Sequence, residues 1–225
     1  MTVVIRARDV TRTYGSGATE IDAVAGVSLE VSAGELVVLR GPSGAGKTTL
    51  LNILGGLDRP SSGSVMLDDV DITTASESRL DELRRTMIGF VFQSFALLPA
   101  LTASENIEIP MRLIGTPVPE RTERVAELLD LVGLSAHARQ KPSELSGGQQ
   151  QRVGVARALA CRPRVLIADE PNGHLDSQTA GRTMQLFINV VHSEGVAAII
   201  STHDPRMSER ADRILELRGG RLTSS

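Results

Sequence analysis

The stretch Gly41-Pro42-Ser43-Gly44-Ala45-Gly46-Lys47-Thr48 constrains this chain more than any other. It matches G-x-x-x-x-G-K-[ST] at every fixed position. Leu36-Val37-Val38-Leu39 before it reads as a buried parallel strand, and Thr49-Leu50-Leu51-Asn52-Ile53-Leu54 after it as the start of a helix. A glycine loop between strand and helix turns successive backbone N–H groups toward one anion, and the helix N-terminus adds its dipole. A glycine-rich turn without a ligand is the competing reading, and the flanking elements favour a nucleotide phosphate. Lys47 is then placed to reach the β- and γ-phosphates and the Thr48 hydroxyl to hold Mg²⁺. Thr49 belongs to the same binding loop.

Bulk properties narrow the classes. The 225 residues suit one large domain, 41% of them hydrophobic, enough for an ordinary core. A net charge of −3 gives no global basic field to recruit nucleic acid. Cys161, the lone cysteine, cannot form an internal disulfide and reads as a buried structural thiol among Ala158, Leu159 and Ala160. The start, Met1 to Arg6, alternates like a strand and has no signal-peptide core. No apolar run approaches the ~20 residues of a membrane span. A soluble chain is expected, whose membrane role would come from a partner.

Strands are expected at Val3 to Val10 and Val24 to Val31, joined by Tyr14-Gly15-Ser16-Gly17-Ala18, then at Ser64 to Leu67 and Met87 to Phe92. Further strands are expected at Val165 to Ala168, Val196 to Ser201 and Ile214 to Leu217. Ser76 caps a helix to about Thr86, and Thr102-Ala103-Ser104-Glu105 is a capping box opening another. Helices follow from Pro119 to Val132, Gly147 to Ala160 and Asp176 to Glu194. The pattern predicts one α/β domain over 1–225. Residues 1–92 and 163–225 would form an antiparallel β sub-domain and a mostly parallel core, with an inserted helical sub-domain at about 93–162.

Two more motifs carry chemistry. Val165-Leu166-Ile167-Ala168-Asp169-Glu170 is an apolar strand ending in two acids. Paired with a phosphate loop, Asp169 would hold Mg²⁺ through water and Glu170 would polarise the attacking water as general base. Leu145-Ser146-Gly147-Gly148-Gln149 opens a helix with a serine and two glycines, so the hydroxyl and several N–H groups can face an anion. A second phosphate site with no second lysine suggests a nucleotide shared with another copy.

Here the chain resembles the ATP-binding subunit of an ABC transporter over nearly its whole length, with a P-loop NTPase core. The resemblance implies two ATPs sandwiched head-to-tail between two copies. Ser146, Gly147, Gly148 and Gln149 of one copy would then meet the γ-phosphate held by Lys47 of the other. It implies that Tyr14 stacks on adenine, although Tyr14 also reads as an ordinary strand-end tyrosine. It implies that Gln93 joins the Mg²⁺ shell and senses the γ-phosphate, that Asp176 contacts the opposite copy, and that His203 bonds the γ-phosphate. Asp176 reads equally as a helix N-cap. His137 and His192 need no role beyond surface residues.

Gly89-Phe90-Val91-Phe92-Gln93, Leu97 to Thr102, Glu105-Asn106-Ile107 and Asp169 to Ser177 are most similar to the lipoprotein-release, macrolide-export and FtsE-like branch. With the sequence ending soon after His203, no regulatory C-terminal domain of the kind some importers carry is expected. The branch implies a peripheral position on the cytoplasmic face of the inner membrane and a motor that moves a permease by ATP-driven closure. The branch usually reads D-E-P-T-G-N-L-D, whereas this chain reads Asp169-Glu170-Pro171-Asn172-Gly173-His174-Leu175-Asp176. His174 is either neutral drift or a group titrating near pH 7 that tunes closure.

Phe95, Leu97, Leu98, Pro99 and Leu101 form an apolar run just after Gln93. A core reading explains Phe90 and Phe92 on the strand but explains this loop-borne run less well. Part of the run is expected to line a groove for a short permease helix. Three rivals remain. A cell-division module would gate a cell-wall hydrolase without a transported solute. A nucleic-acid-handling ATPase would usually carry long coiled coils or paired ATPase domains. A small-molecule kinase would explain the phosphate loop but not Leu145 to Gln149.

Overall fold

The computed structural model describes residues 2–171, 177–203 and 208–223. Asn172, Gly173, His174, Leu175 and Asp176, on which a closure-tuning histidine and a contact to the opposite copy were expected, lie outside the described residues.

Two sheets share the work. The first is antiparallel: β1 (Val3–Tyr14) lies between β2 (Ile21–Ser32) and β4 (Ser62–Leu67), and β5 (Val70–Asp71) edges β4. The second contains β3 (Leu36–Arg40), β6 (Ile88–Val91), β7 (Val165–Asp169), β8 (Ala197–Ser201), β9 (Arg213–Arg218) and β10 (Arg221–Thr223). Its order is β10-β9-β3-β8-β7-β6, parallel throughout except for the β9–β10 hairpin.

Alternation along the central strands assigns the two faces. Val37, Leu39, Val165, Ile167, Ala197 and Ile199 point toward the antiparallel sheet and helices α1 (Lys47–Leu54) and α2 (Glu77–Thr86). Leu36, Val38, Leu166, Ala168, Ala198 and Ile200 point toward helices α3 (Ala103–Leu113), α4 (Val118–Leu131), α5 (Gly147–Ala158) and α6 (Ser177–Glu194). A strand buried on both faces must be apolar at consecutive positions, which is why β3, β7 and β8 read as unbroken hydrophobic runs. Helices α3, α4 and α5 all fall between β6 and β7 in the chain.

Several boundaries differ from expectation. β1 runs on to Tyr14, and β2 begins at Ile21, because pairing continues through polar residues with register shifts. The strand expected to reach Phe92 ends at Val91: Met87 closes α2, and Phe92 leaves the sheet 41% exposed, stacked on Phe90 at 5.9 Å. Phe92 is therefore not core. α1 begins at Lys47, two residues before the expected start, because Gly46 is its N-cap in the left-handed region at φ +99°.

Gly46 is sterically obligatory. A Cβ there would stand 2.0 Å from the Ala23 carbonyl oxygen. Gly46→Ala should cost on the order of 2 kcal/mol or more in stability. It should also weaken the nucleotide binding expected of this loop more than tenfold by displacing the loop amides, read by thermal melting and nucleotide titration.

Candidate functional site

β3, β7 and β8 end on the same side of the parallel sheet, and an open cleft of about 690 Å³ lies there, within the size range of small-molecule sites. Tyr14, Ala23, Ser43, Gly44, Ala45, Gly46, Lys47, Thr48, Thr49, Gln93, Asp169, Glu170 and His203 line it. Crevices at the carboxyl ends of parallel strands are where open α/β sheets bind ligands.

Lys47 is 8% exposed, and its Nζ donates to the carbonyls of Gly41 (2.8 Å) and Pro42 (3.2 Å). Gly41 and Pro42 thus act here through their backbone, holding the lysine rather than lining the cleft. The Lys47 amine also lies 3.5 Å from His203 Nε2 and 3.9 Å from Glu170 Oε1, and Glu170 Oε1 is 2.9 Å from His203 Nε2. Three elements therefore converge on one point: the α1 N-terminus, the end of β7 and the residues after β8.

Glu170 sits at φ +44°, unusual for a non-glycine residue, and its N–H is bonded to the Ser201 carbonyl (3.1 Å) and Oγ (3.0 Å). Ser201 also donates its hydroxyl to Asp169 Oδ1. One buried serine of β8 thus fixes both acids, a role with no local signal in the sequence. Thr48 Oγ1 donates to Asp169 Oδ2 at 2.7 Å. That hydroxyl, the carboxylate and the exposed Gln93 amide supply hard oxygen donors on one wall, a set that suits Mg²⁺. Among the described residues no group of three or more His, Cys, Asp or Glu is placed to hold a metal ion. The ion would therefore lean on nucleotide phosphates, as Mg²⁺ usually does.

Ser146 N-caps α5 in a reciprocal capping box. Its Oγ accepts from Gln149 N (3.3 Å), and Gln149 Oε1 accepts from Ser146 N (2.8 Å). None of Ser146, Gly147, Gly148 or Gln149 lines the cleft. His137, expected to be an idle surface residue, is half-buried and bridges Gln140 Oε1 (2.7 Å) and Gln149 Nε2 (3.2 Å). His192 pairs with Asp212 at 3.3 Å.

Past Gln93, Phe95 and Ala96 adopt φ of +59° and +49°. Their carbonyls accept from Arg157 of α5, at 3.1 and 2.6 Å. Burial pushes the Arg157 guanidinium below its usual value. The loop after β6 and the helix that begins at Ser146 are therefore joined through one half-buried arginine. Beside them runs a groove of about 380 Å³ lined by Phe90, Phe92, Ala96, Ile109, Pro110 and Leu113, with Arg84, Arg85 and Arg157 also on its walls. None of Phe95, Leu97, Leu98, Pro99 or Leu101, the run expected to form such a groove, lines it; only Ala96 between them does. Leu97 packs on the core and Leu98 is exposed elsewhere. Cys161 is half-buried rather than buried, its thiol pushed up by desolvation.

A family profile described as ABC transporter matches residues 24–173. The chain is 44% identical over 221 residues to the lipoprotein-releasing system ATP-binding protein LolD 1 of Rhodospirillum rubrum, covering 98% of both chains. It is 45% identical over 221 residues to the macrolide export ATP-binding/permease protein MacB of Brucella melitensis. That match covers 98% of this chain but 34% of the relative's length. The ADP- and phosphate-bound dimeric ATP-binding cassette MJ0796 superposes with a TM-score of 0.88 at 40% identity, covering 98% of this chain and 97% of that one.

Proposed function

The chain belongs to the ABC transporter family of ATP-binding cassettes, and from that premise we propose that it hydrolyses ATP at a cleft completed by a second copy. The observation that carries this reading is a separation. Lys47, Thr48, Gln93, Asp169, Glu170 and His203 stand in one cleft, while the anion-suited helix opening at Ser146 lies outside it.

The roles follow from position. Backbone amides of Ser43 to Thr49 and the α1 dipole bind the β- and γ-phosphates, and Lys47 swings from its own loop carbonyls to the transferred group. Tyr14 stacks on adenine. Thr48, Asp169 and Gln93 would hold Mg²⁺, which when bound offsets charge developing on the phosphate oxygens. Glu170 orients and deprotonates water for in-line attack, and His203, beside both Glu170 and Lys47, hydrogen-bonds the γ-phosphate. The partner's copy of Ser146 to Gln149 would close the other side, and hydrolysis would remove the anion that both copies share.

Among the described residues no helix is long and apolar enough to cross a membrane. The work would be delivered to a membrane permease at the cytoplasmic side of the inner membrane, a reading supported by the likeness to LolD and to the ATP-binding part of MacB. The Phe92–Leu113 groove is the docking site: Phe92 is 41% and Leu113 63% exposed, and arginines rim an apolar floor. It fits a short amphipathic permease helix carrying an acidic residue. Residues of about 93–162 would swing as one body with that helix, since Arg157 links groove, Gln93 loop and α5. Phe92→Asp and Leu113→Asp should abolish co-purification with the permease and lower its transport-coupled ATPase at least tenfold. The basal ATPase of the isolated cassette should persist. Retained coupling in both variants would refute the docking site.

A further inference from the structure

The adenine platform has a scaffold of its own, and the following rests on the stacking role given to Tyr14. We propose that Arg12 and Asp58 are positioning residues for the nucleobase, clamping Tyr14 from behind and tying it to the far end of the phosphate-loop helix.

Three side chains form a closed set. The Arg12 guanidinium carbon lies 4.6 Å from the centre of the Tyr14 ring. The Tyr14 hydroxyl donates to Asp58 Oδ2 at 2.7 Å. Arg12 closes the triangle with Nε to Asp58 Oδ2 (3.0 Å) and a terminal nitrogen to Oδ1 (2.8 Å). One ring face is thereby covered by a cation, so only the other is free to receive a base. Tyr14 is 42% exposed and lines the cleft, so without these contacts its ring would keep much of its rotational freedom. Fixing it beforehand removes the ordering cost that stacking would otherwise carry.

Asp58 is itself fixed. The backbone N–H groups of Leu57 and Asp58 both donate to the Asn52 carbonyl near the end of α1, at 2.8 and 3.2 Å. Arg59 N donates to Asp58 Oδ1 (2.8 Å), while its guanidinium holds the carbonyls of Thr73 and Ala75. Helix α1 therefore carries Lys47 and Thr48 at one end and the anchor of the adenine platform just past the other. The spacing between phosphate and base subsites is set by a rigid element rather than by a loop.

The chain has one tyrosine and no tryptophan, so tyrosine emission reports on Tyr14 alone. Full-length Asp58→Asn and Arg12→Ala should raise KM for ATP about three- to tenfold. The ATP concentration that half-changes the emission should rise equally. Their kcat should hold, as should the inhibition constant of tripolyphosphate, which has no base. Arg12→Lys should recover part of the loss. Tyr14→Ala, the control, should raise KM about tenfold. If the Arg12 and Asp58 variants bind ATP normally while Tyr14→Ala does not, the clamp is wrong and stacking stands. If Tyr14→Ala binds normally, both fall. Equal loss of ATP and tripolyphosphate would mark a general structural lesion and also overturn the clamp.

Discussion

Glu170→Gln should bind ATP at least as tightly as the parent chain, hydrolyse it about 10²- to 10⁴-fold more slowly, and collect as a closed dimer. The amide keeps the shape of the carboxylate and one acceptor oxygen but cannot take a proton from water. The carboxylate stands 2.9 Å from His203 Nε2 and 3.9 Å from Lys47 Nζ, so it is aimed at the place where the γ-phosphate would meet both. A negative charge there repels the phosphate anion in the ground state, and removing it favours binding even as it stops chemistry. The backbone supports a dedicated role. Holding a glutamate at φ +44° costs about 1–3 kcal/mol. Ser201 opposes that cost by accepting the Glu170 N–H through both its carbonyl and its hydroxyl. Rapid-quench hydrolysis and size-exclusion chromatography with ATP and Mg²⁺ would read both halves of the result. A variant that turns over at the parent rate, or stays monomeric with ATP, removes Glu170 from the proposed chemistry.

The parts of this molecule that are legible in the sequence are those whose signals are local. β3, β7 and β8 announce themselves because burial on both faces demands consecutive apolar residues. The phosphate loop and the Ser146 cap carry their geometry within a few residues. What stays hidden acts across long separations. Arg12 finds Asp58 46 residues away, and Arg157 reaches Ala96 across 61. In the sequence each is one more arginine in a chain where only Lys47 and Lys141 are lysine. His137 reads as a surface histidine because nothing local says that Gln149 will lie 3.2 Å from it. Phe92 misleads for another reason. It continues an apolar alternation, but the sheet ends one residue earlier, so hydrophobicity that resembles core is surface. An exposed phenylalanine beside a groove is informative for that reason: apolar side chains left in water mark contact surfaces more often than chance.

Two inactive variants should restore activity to each other when mixed. Lys47→Ala removes the cation that meets the γ-phosphate, and Ser146→Arg fills the opening of α5 with a bulky side chain and deletes its cap. As homodimers both should lose at least 10²-fold in kcat, since every site in either carries a lesion. A mixed dimer is different if each reaction centre takes its phosphate loop from one copy and its α5 opening from the other. One centre then contains both lesions and the other contains neither. Random pairing at equal concentrations makes about half of the dimers mixed. If the two centres fire independently, about a quarter of the parent activity should return. Activity should also depend on concentration, vanishing on dilution below the dimer dissociation constant. A centre built within one chain predicts the opposite, because every centre in the mixture would then hold one lesion and no pairing could repair it. The geometry supports the shared centre: Lys47, Glu170 and His203 meet within 4 Å, while Ser146 to Gln149 are absent from the walls of the cleft they form. On the proposed reading, a phosphate bound at Lys47 meets that helix opening from a second molecule.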